Sequence, residues 1–193
     1  MSADFNTFIH LKGTKEELCK MLQVVKTFEV NNYKQYVEKH DFAYIDSVQI
    51  AKNKKFFFTD KSKRLSDLDN VELEEFLNTG KKEVFVSASG PWGIFGFLDE
   101  ISLFDEIAEA APNASFDANI TGWNSGGDQD AEFELINGLL YSRYAFHMDD
   151  DCCESDGFVD EDEYDDIDKP CEWDTEVIYD PIKKEIIASN YDD

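Results

Sequence analysis

Residues 5–28 read FNTFIHLKGTKEELCKMLQVVKTF, and two periods meet within them. Phe5, Thr7, Ile9 and Leu11 alternate with Asn6, Phe8, His10 and Lys12, the period of a strand, and the run stops at Gly13. Thr14 followed by Glu17 is the spacing of a capping box, in which each side chain satisfies the other's backbone N–H. Leu18, Met21, Leu22, Val25 and Phe28 then recur at helical spacing. The chain therefore opens with a strand and a capped helix.

Outward from this start, Tyr33–His40 reads as a further short helix. Residues 41–51 and 54–59 read as strands around a Lys52-Asn53 turn. Ser66 reads as the cap of a helix carrying Leu68, Val71, Leu73, Phe76 and Leu77, which Asn78-Thr79-Gly80 ends. Residues 82–89 alternate through Val84 and Val86. This order, β-α-β-β-α-β, is the split pattern of a ferredoxin-like core. A Gly90, Gly93, Gly96 turn follows, and then a helix with Leu98, Ile101, Phe104, Ile107, Ala108 and Ala111, stopped by Pro112. Residues 114–123 form a strand, Gly126-Gly127 a turn, and residues 132–136 and 139–146 a hairpin about Asn137-Gly138. Residues 173–179 and 185–188 form a last hairpin around Asp180-Pro181. The expected fold class is α+β: one domain over residues 1–193, with a ferredoxin-like core extended by a further helix and antiparallel hairpins. An acidic insertion at 149–169 lies within it.

The segment from Phe85 to Leu140 resembles the YubB-type ferredoxin-like proteins of plasmids and phages. The matching features are a strand before Gly90-Pro91-Trp92, a helix ending Glu109-Ala110-Ala111-Pro112-Asn113, strands through Phe116 and Phe133, and Asn137-Gly138. The opening strand with Ile9, Leu11 and Gly13 is similar as well. The resemblance implies a mobile-element origin and a ferredoxin-like core, and carries over no catalytic residue.

Charge is divided unevenly along the chain. Residues 1–82 hold 14 Lys/Arg and 13 Asp/Glu; of totals of 18 and 43, that leaves 4 and 30 for residues 83–193. A halophile acidifies its whole surface, so a localised acidic face is the better reading. Twelve of these acids fall in residues 149–168: Asp149, Asp150, Asp151, Glu154, Asp156, Asp160, Glu161, Asp162, Glu163, Asp165, Asp166 and Asp168. Tyr164 and Trp173 interleave with them as aromatic anchors for a partner. No 18-residue apolar run is present, and the N-terminus has no signal-peptide pattern. The expected location is the cytoplasm, with Cys19, Cys152, Cys153 and Cys171 as reduced thiols.

The other motifs read as structural. The glycine turn has neither Walker nor dinucleotide spacing, and Asp99 and Glu100 open the helix behind it. Residues 152–163 match part of a calcium loop, but its first ligand position is Cys152 and its flanks are not helical. His147 with Cys152, Cys153 and Cys171 fits no zinc spacing. His10 and His40 have no nucleophile motif beside them. The expectation is a non-enzymatic protein with no cofactor and no metal. It acts as an inhibitor or nucleic-acid mimic of anti-CRISPR or anti-restriction type, occupying the basic nucleic-acid-binding surface of a host defence protein. Nucleic acid and anionic membranes are expected to be repelled. The alternatives are an acidic immunity or antitoxin protein set against a basic toxin, a calcium-binding module, or a small carboxylate-using enzyme.

Overall fold

The computed structural model describes residues 4–39, 47–57, 62–78, 82–91, 103–124, 127–148 and 175–190. Its strands are β1 (Asp4–Lys12), β2 (Ser47–Ala51), β3 (Lys63–Arg64), β4 (Glu83–Pro91), β5 (Ser115–Asn124), β6 (Gly127–Ile136), β7 (Leu139–Met148), β8 (Thr175–Asp180) and β9 (Glu185–Ser189). The helices are α1 (Lys15–Lys39), α2 (Asn70–Leu77) and α3 (Leu103–Ala110). The fold is α+β. The strands form one sheet in the order β3-β2-β4-β1-β5-β6-β7-β8-β9, and every neighbouring pair is antiparallel. This sheet is larger than the sequence pattern suggests.

The opening capping box is formed: Glu17 N–H donates to Thr14 Oγ1 at 3.3 Å, and Glu17 Oε2 accepts from Thr14 N–H at 2.7 Å. A side chain at Gly13 would press on Glu17, with a Cβ only 2.9 Å from Oε2. The Asn137-Gly138 turn joins β6 to β7 with positive φ at both residues, 54° and 78°, the hairpin geometry this dipeptide favours. The final hairpin is present too. Asp180 Oδ1 accepts from the N–H groups of Ile182 (2.9 Å) and Lys183 (3.0 Å), closing the turn before β9.

Three expectations are corrected. The helix predicted at Tyr33 is the continuation of α1, which runs unbroken to Lys39 because no Gly or Pro interrupts it. The strand predicted at Lys54 is a 3-10 turn over Lys54–Phe56, because Asn53 caps Lys55 N–H at 3.0 Å. The helix predicted from Ser66 starts one turn later, where Asp69 and Glu72 make a reciprocal capping box. The six elements first assigned to a ferredoxin-like pattern therefore do not carry it. Instead, α1 links β1 to β2 across the intervening β4, and α3 links β4 to β5 across β1.

All three helices lie on one face of the sheet. Leu18, Met21, Leu22 and Val25 of α1, Leu73, Phe76 and Leu77 of α2, and Leu103, Phe104 and Ile107 of α3 share one buried cluster with strand residues. Those strand residues include Ile9, Leu11, Val84, Val86, Phe116, Ile120 and Leu135. Because strand side chains alternate, the residues between them face the other way. Among the described residues, no helix is long and apolar enough to cross a membrane.

Candidate functional site

The helix-free face of the sheet collects the chemistry. In-register pairing runs one row from Phe85 through His10, Asp117, Glu134 and Tyr141 to Ile178. The neighbouring row runs from Ser87 through Phe8, Asn119, Glu132 and Arg143 to Glu176. At the β2 end, this face is covered. Phe57 is buried and meets the rings of Phe8 and Phe85 edge-on, each at a centroid distance of 6.3 Å. From β5 to β8 its described residues Asp117, Asn119, Glu132, Glu134, Arg143 and Glu176 are exposed.

The open part is acidic. Glu83, Asp117, Asp130, Glu132, Glu134 and Glu176 lie on this face, and Lys12, Arg143 and, at the β2 end, Lys54 are the cations there among the described residues. Asp117 and Glu134 stand directly opposite across β5 and β6. A like-charge pair in that position costs stability, on the order of 0.2–1 kcal/mol. Lys12 offsets part of it, with its Nζ 2.8 Å from Asp117 Oδ1. Glu132 and Glu134 are both exposed. Arg143 faces Glu132 across the strand pair, but its Nε is engaged by Glu176 at 3.2 Å.

His10 sits at the head of this face. Its Nε2 is 3.1 Å from Glu83 Oε2, its Nδ1 is 3.3 Å from Asp117 Oδ1, and its ring stacks on Phe85 at 4.2 Å. The sequence reading saw a lone histidine, because its partners lie 73 and 107 residues away and are supplied by strand register. No group of three or more His, Cys, Asp or Glu among the described residues is arranged to hold a metal. Beside this face, an open depression of about 900 Å³ lies among Lys12, Thr14, Lys82, Asn113, Asn137 and Asp180. Its carboxylate Asp180 is held down in pKa, chiefly by the Lys183 N–H bond.

The fourteen residues expected to bind a partner, Asp149 to Asp168 with Tyr164 and Trp173, all lie outside the described residues. So do His40, Trp92, Phe95, the glycine turn beyond Pro91, the calcium-like loop, and Cys152, Cys153 and Cys171. Cys19 is free, half-buried on α1 and packed against the core. The strand carboxylates were missed as a site. Their signal was the alternation of acids with apolar residues at Glu132, Phe133, Glu134 and Leu135.

Two carboxylates on the helix side are structural. Glu109 of α3 accepts from Tyr179 Oη at 2.6 Å and pairs with Lys184, tying the helix to the last hairpin. Burial pushes the Tyr179 hydroxyl up in pKa, and its bond to Glu109 adds to that. Glu29 of α1 is buried, 3.8 Å from Arg64 Nε, and its Oε2 has no hydrogen-bond partner among the described residues. Burial raises its pKa, opposed by the Val48 N–H, Arg64 and Ser66. A carboxyl raised on folding adds stability below its unfolded pKa of about 4.3 and loses it as pH rises through the folded value. Glu29→Gln should therefore gain in melting temperature relative to the native chain between pH 4 and 7. A change of about 1 kcal/mol moves the melting temperature by ~2–4 °C at this size. A difference that stays constant over that range would show that Glu29 titrates alike folded and unfolded.

Compared with known proteins, the chain matches no family model, no curated relative and no solved structure.

Proposed function

We propose that the protein is a non-enzymatic, acidic interaction protein of the cytoplasm that occupies a basic, nucleic-acid-binding surface of another protein. The observation that carries this reading is the opposition of Asp117 and Glu134 within a face where, among the described residues, six carboxylates outnumber three cations. A sheet kept for stability alone has no use for a like-charge pair on adjacent strands. Carboxylates at every second position of β6 are spaced ~6.8 Å apart, and neighbouring strands ~4.8 Å apart, so the face is a two-dimensional array of negative charge. Such an array steers a basic groove towards it and takes the place of phosphates there.

The adjacent strands β2, β4, β1 and β5 support a ferredoxin-like core in this reading. Its elements are β1, α1, β2, β4, α3 and β5, with β3 and α2 inserted before β4 and the acidic strands added after β5. The likeness to YubB-type proteins, the mobile-element origin it implies, and an anti-restriction or anti-CRISPR role against a host defence protein belong to the same proposal. The acidic face itself takes neither nucleic acid nor anionic membrane, and no cofactor is assigned.

The test is competition. Immobilised protein is mixed with host lysate at ~50 mM salt, where phosphate-like contacts are strong, and captured proteins are challenged with duplex DNA or RNA. Specific release of a basic protein by nucleic acid, and by salt, is expected. Captured protein that stays bound against both would exclude a nucleic-acid-binding surface as the target.

A further inference from the structure

The charge asymmetry of the chain becomes a spatial one. Because β3, β2, β4 and β1 lie on one side of β5–β9, the lysine-rich first half occupies one end of the sheet. Residues 52–64 hold Lys52, Lys54, Lys55, Lys61, Lys63 and Arg64 against the single acid Asp60; Asp60 and Lys61 lie outside the described residues. The fold presents the described cations among them along an edge. Asn53 caps the 3-10 turn that carries Lys54 and Lys55, both exposed. Lys63 is exposed on β3, the edge strand, which pairs with β2 through Gln49 and Ile50. Lys52 lies over the Phe76 ring at 4.8 Å, Lys54 over Phe8 at 5.6 Å, and Arg64 is turned to the buried Glu29. Among the described residues, Lys54, Lys55 and Lys63 form no ion pair with a carboxylate.

We propose that the edge carrying Lys54, Lys55 and Lys63 is a second interaction surface, one that binds the phosphate backbone of a nucleic acid. The net charge of −25 opposes this, but distance decides. Four strand spacings separate β3 from β5, where the open acidic part begins, roughly 19 Å at ~4.8 Å each. The screening length at physiological salt is only ~8 Å. A duplex is a narrow rod that meets one edge and leaves the open acidic strands about two screening lengths away. An anionic bilayer is broad and would bring the acidic strands close to its surface. It also needs an exposed apolar anchor beside the cations, whereas among the described residues of this turn Phe57 is buried and Phe56 half-buried. Three contacts are weak alone. They become effective beside a partner that holds nucleic acid, where the local concentration reaches the millimolar range. This surface goes beyond the acidic-face reading and stands or falls separately from it.

The experiment uses the full chain and a fluorescently labelled duplex of about 20 base pairs, followed by anisotropy at several salt concentrations. At ~20 mM salt saturable binding is expected, with log K falling against log salt at a slope of about −2.7 for three phosphates, hence roughly 200-fold weaker at ~150 mM. Lys54→Gln, Lys55→Gln and Lys63→Gln together keep most of the stems that cover the rings and should lose at least ~10-fold at low salt. Glu132→Gln with Glu134→Gln should leave the slope unchanged. No binding at low salt, or equal binding by the triple lysine variant with its melting curve intact, would falsify the proposal. Vesicles containing anionic lipid that bind as tightly, with the same loss in that variant, would reassign the edge to membranes. Lysate capture by the acidic face should be indifferent to the lysine changes, so the two surfaces fail independently.

Discussion

Replacing Phe104 by alanine should cost about 3–5 kcal/mol, the range for emptying a buried aromatic site. Phe104 is 1% exposed, stacks on Phe133 of β6 at 3.9 Å and lies 6.1 Å from Phe116 of β5. It is the point at which α3 grips the two strands that begin the acidic half of the sheet. Loss of the ring leaves a cavity between a single short helix and the sheet, and α3 has only eight residues with which to adapt. At ~2–4 °C per kcal/mol, the melting temperature should fall by on the order of 10 °C. Phe104→Leu, which refills most of the volume, should cost much less. Val71, 65% exposed on α2, should tolerate alanine within about 0.5 kcal/mol. Thermal denaturation followed by circular dichroism measures all three. A Phe104→Ala protein within 1 kcal/mol of native would mean that α3 is not seated as described, and Phe104→Leu keeps the comparison open if the alanine variant does not fold.

That anchor was legible in the sequence, since Phe104, Ile107, Ala108 and Ala111 share one helical face and are buried together. So were the opening strand, its capping box and the Asn137-Gly138 hairpin, because in each the local chemistry has one solution. Where two local solutions compete, the tertiary context chose. Ser66 and Asp69 both begin plausible caps three residues apart. Asp69 takes the helix because Glu72 reciprocates, while Ser66 lies within the 3-10 turn Leu65–Asp67. Phe56-Phe57-Phe58 has the composition of a strand. Phe56 closes a 3-10 turn instead, and Phe57 covers Phe8 and Phe85. The helix before β4 was read as a crossover for a related reason: spacing along the chain cannot tell an inserted helix from a crossover. The acidic face was half legible. Alternation says which residues of β6 point away from the core, but only strand register places Glu134 opposite Asp117 and His10 between Asp117 and Glu83.

Neutralising Glu132 and Glu134 together should slow association with a basic partner about tenfold at low salt and flatten its salt dependence, because long-range attraction acts mainly on encounter. Both are exposed, so glutamine changes charge and little else. The same change removes the repulsion between Glu134 and Asp117, so the melting temperature should stay level or rise slightly. Lost attraction with retained or improved stability is the signature of charge held for binding. The acidic stretch supplies the comparison. Asp160, Asp162, Asp165 and Asp166 changed together to asparagine remove four charges from a segment poor in apolar side chains, and should likewise leave stability unchanged or raised. Stopped-flow association with the partner identified by competition, at several salt concentrations, separates the two contributions. Slowing by both sets makes the strand face and the stretch one electrostatic surface. If only the stretch slows association, the sheet face is a scaffold and its like-charge pair has no binding role. If neither changes the rate or the salt slope, acidity serves solubility alone, and the binding surface must be sought among other groups, beginning with Trp92, Phe95 and Trp123.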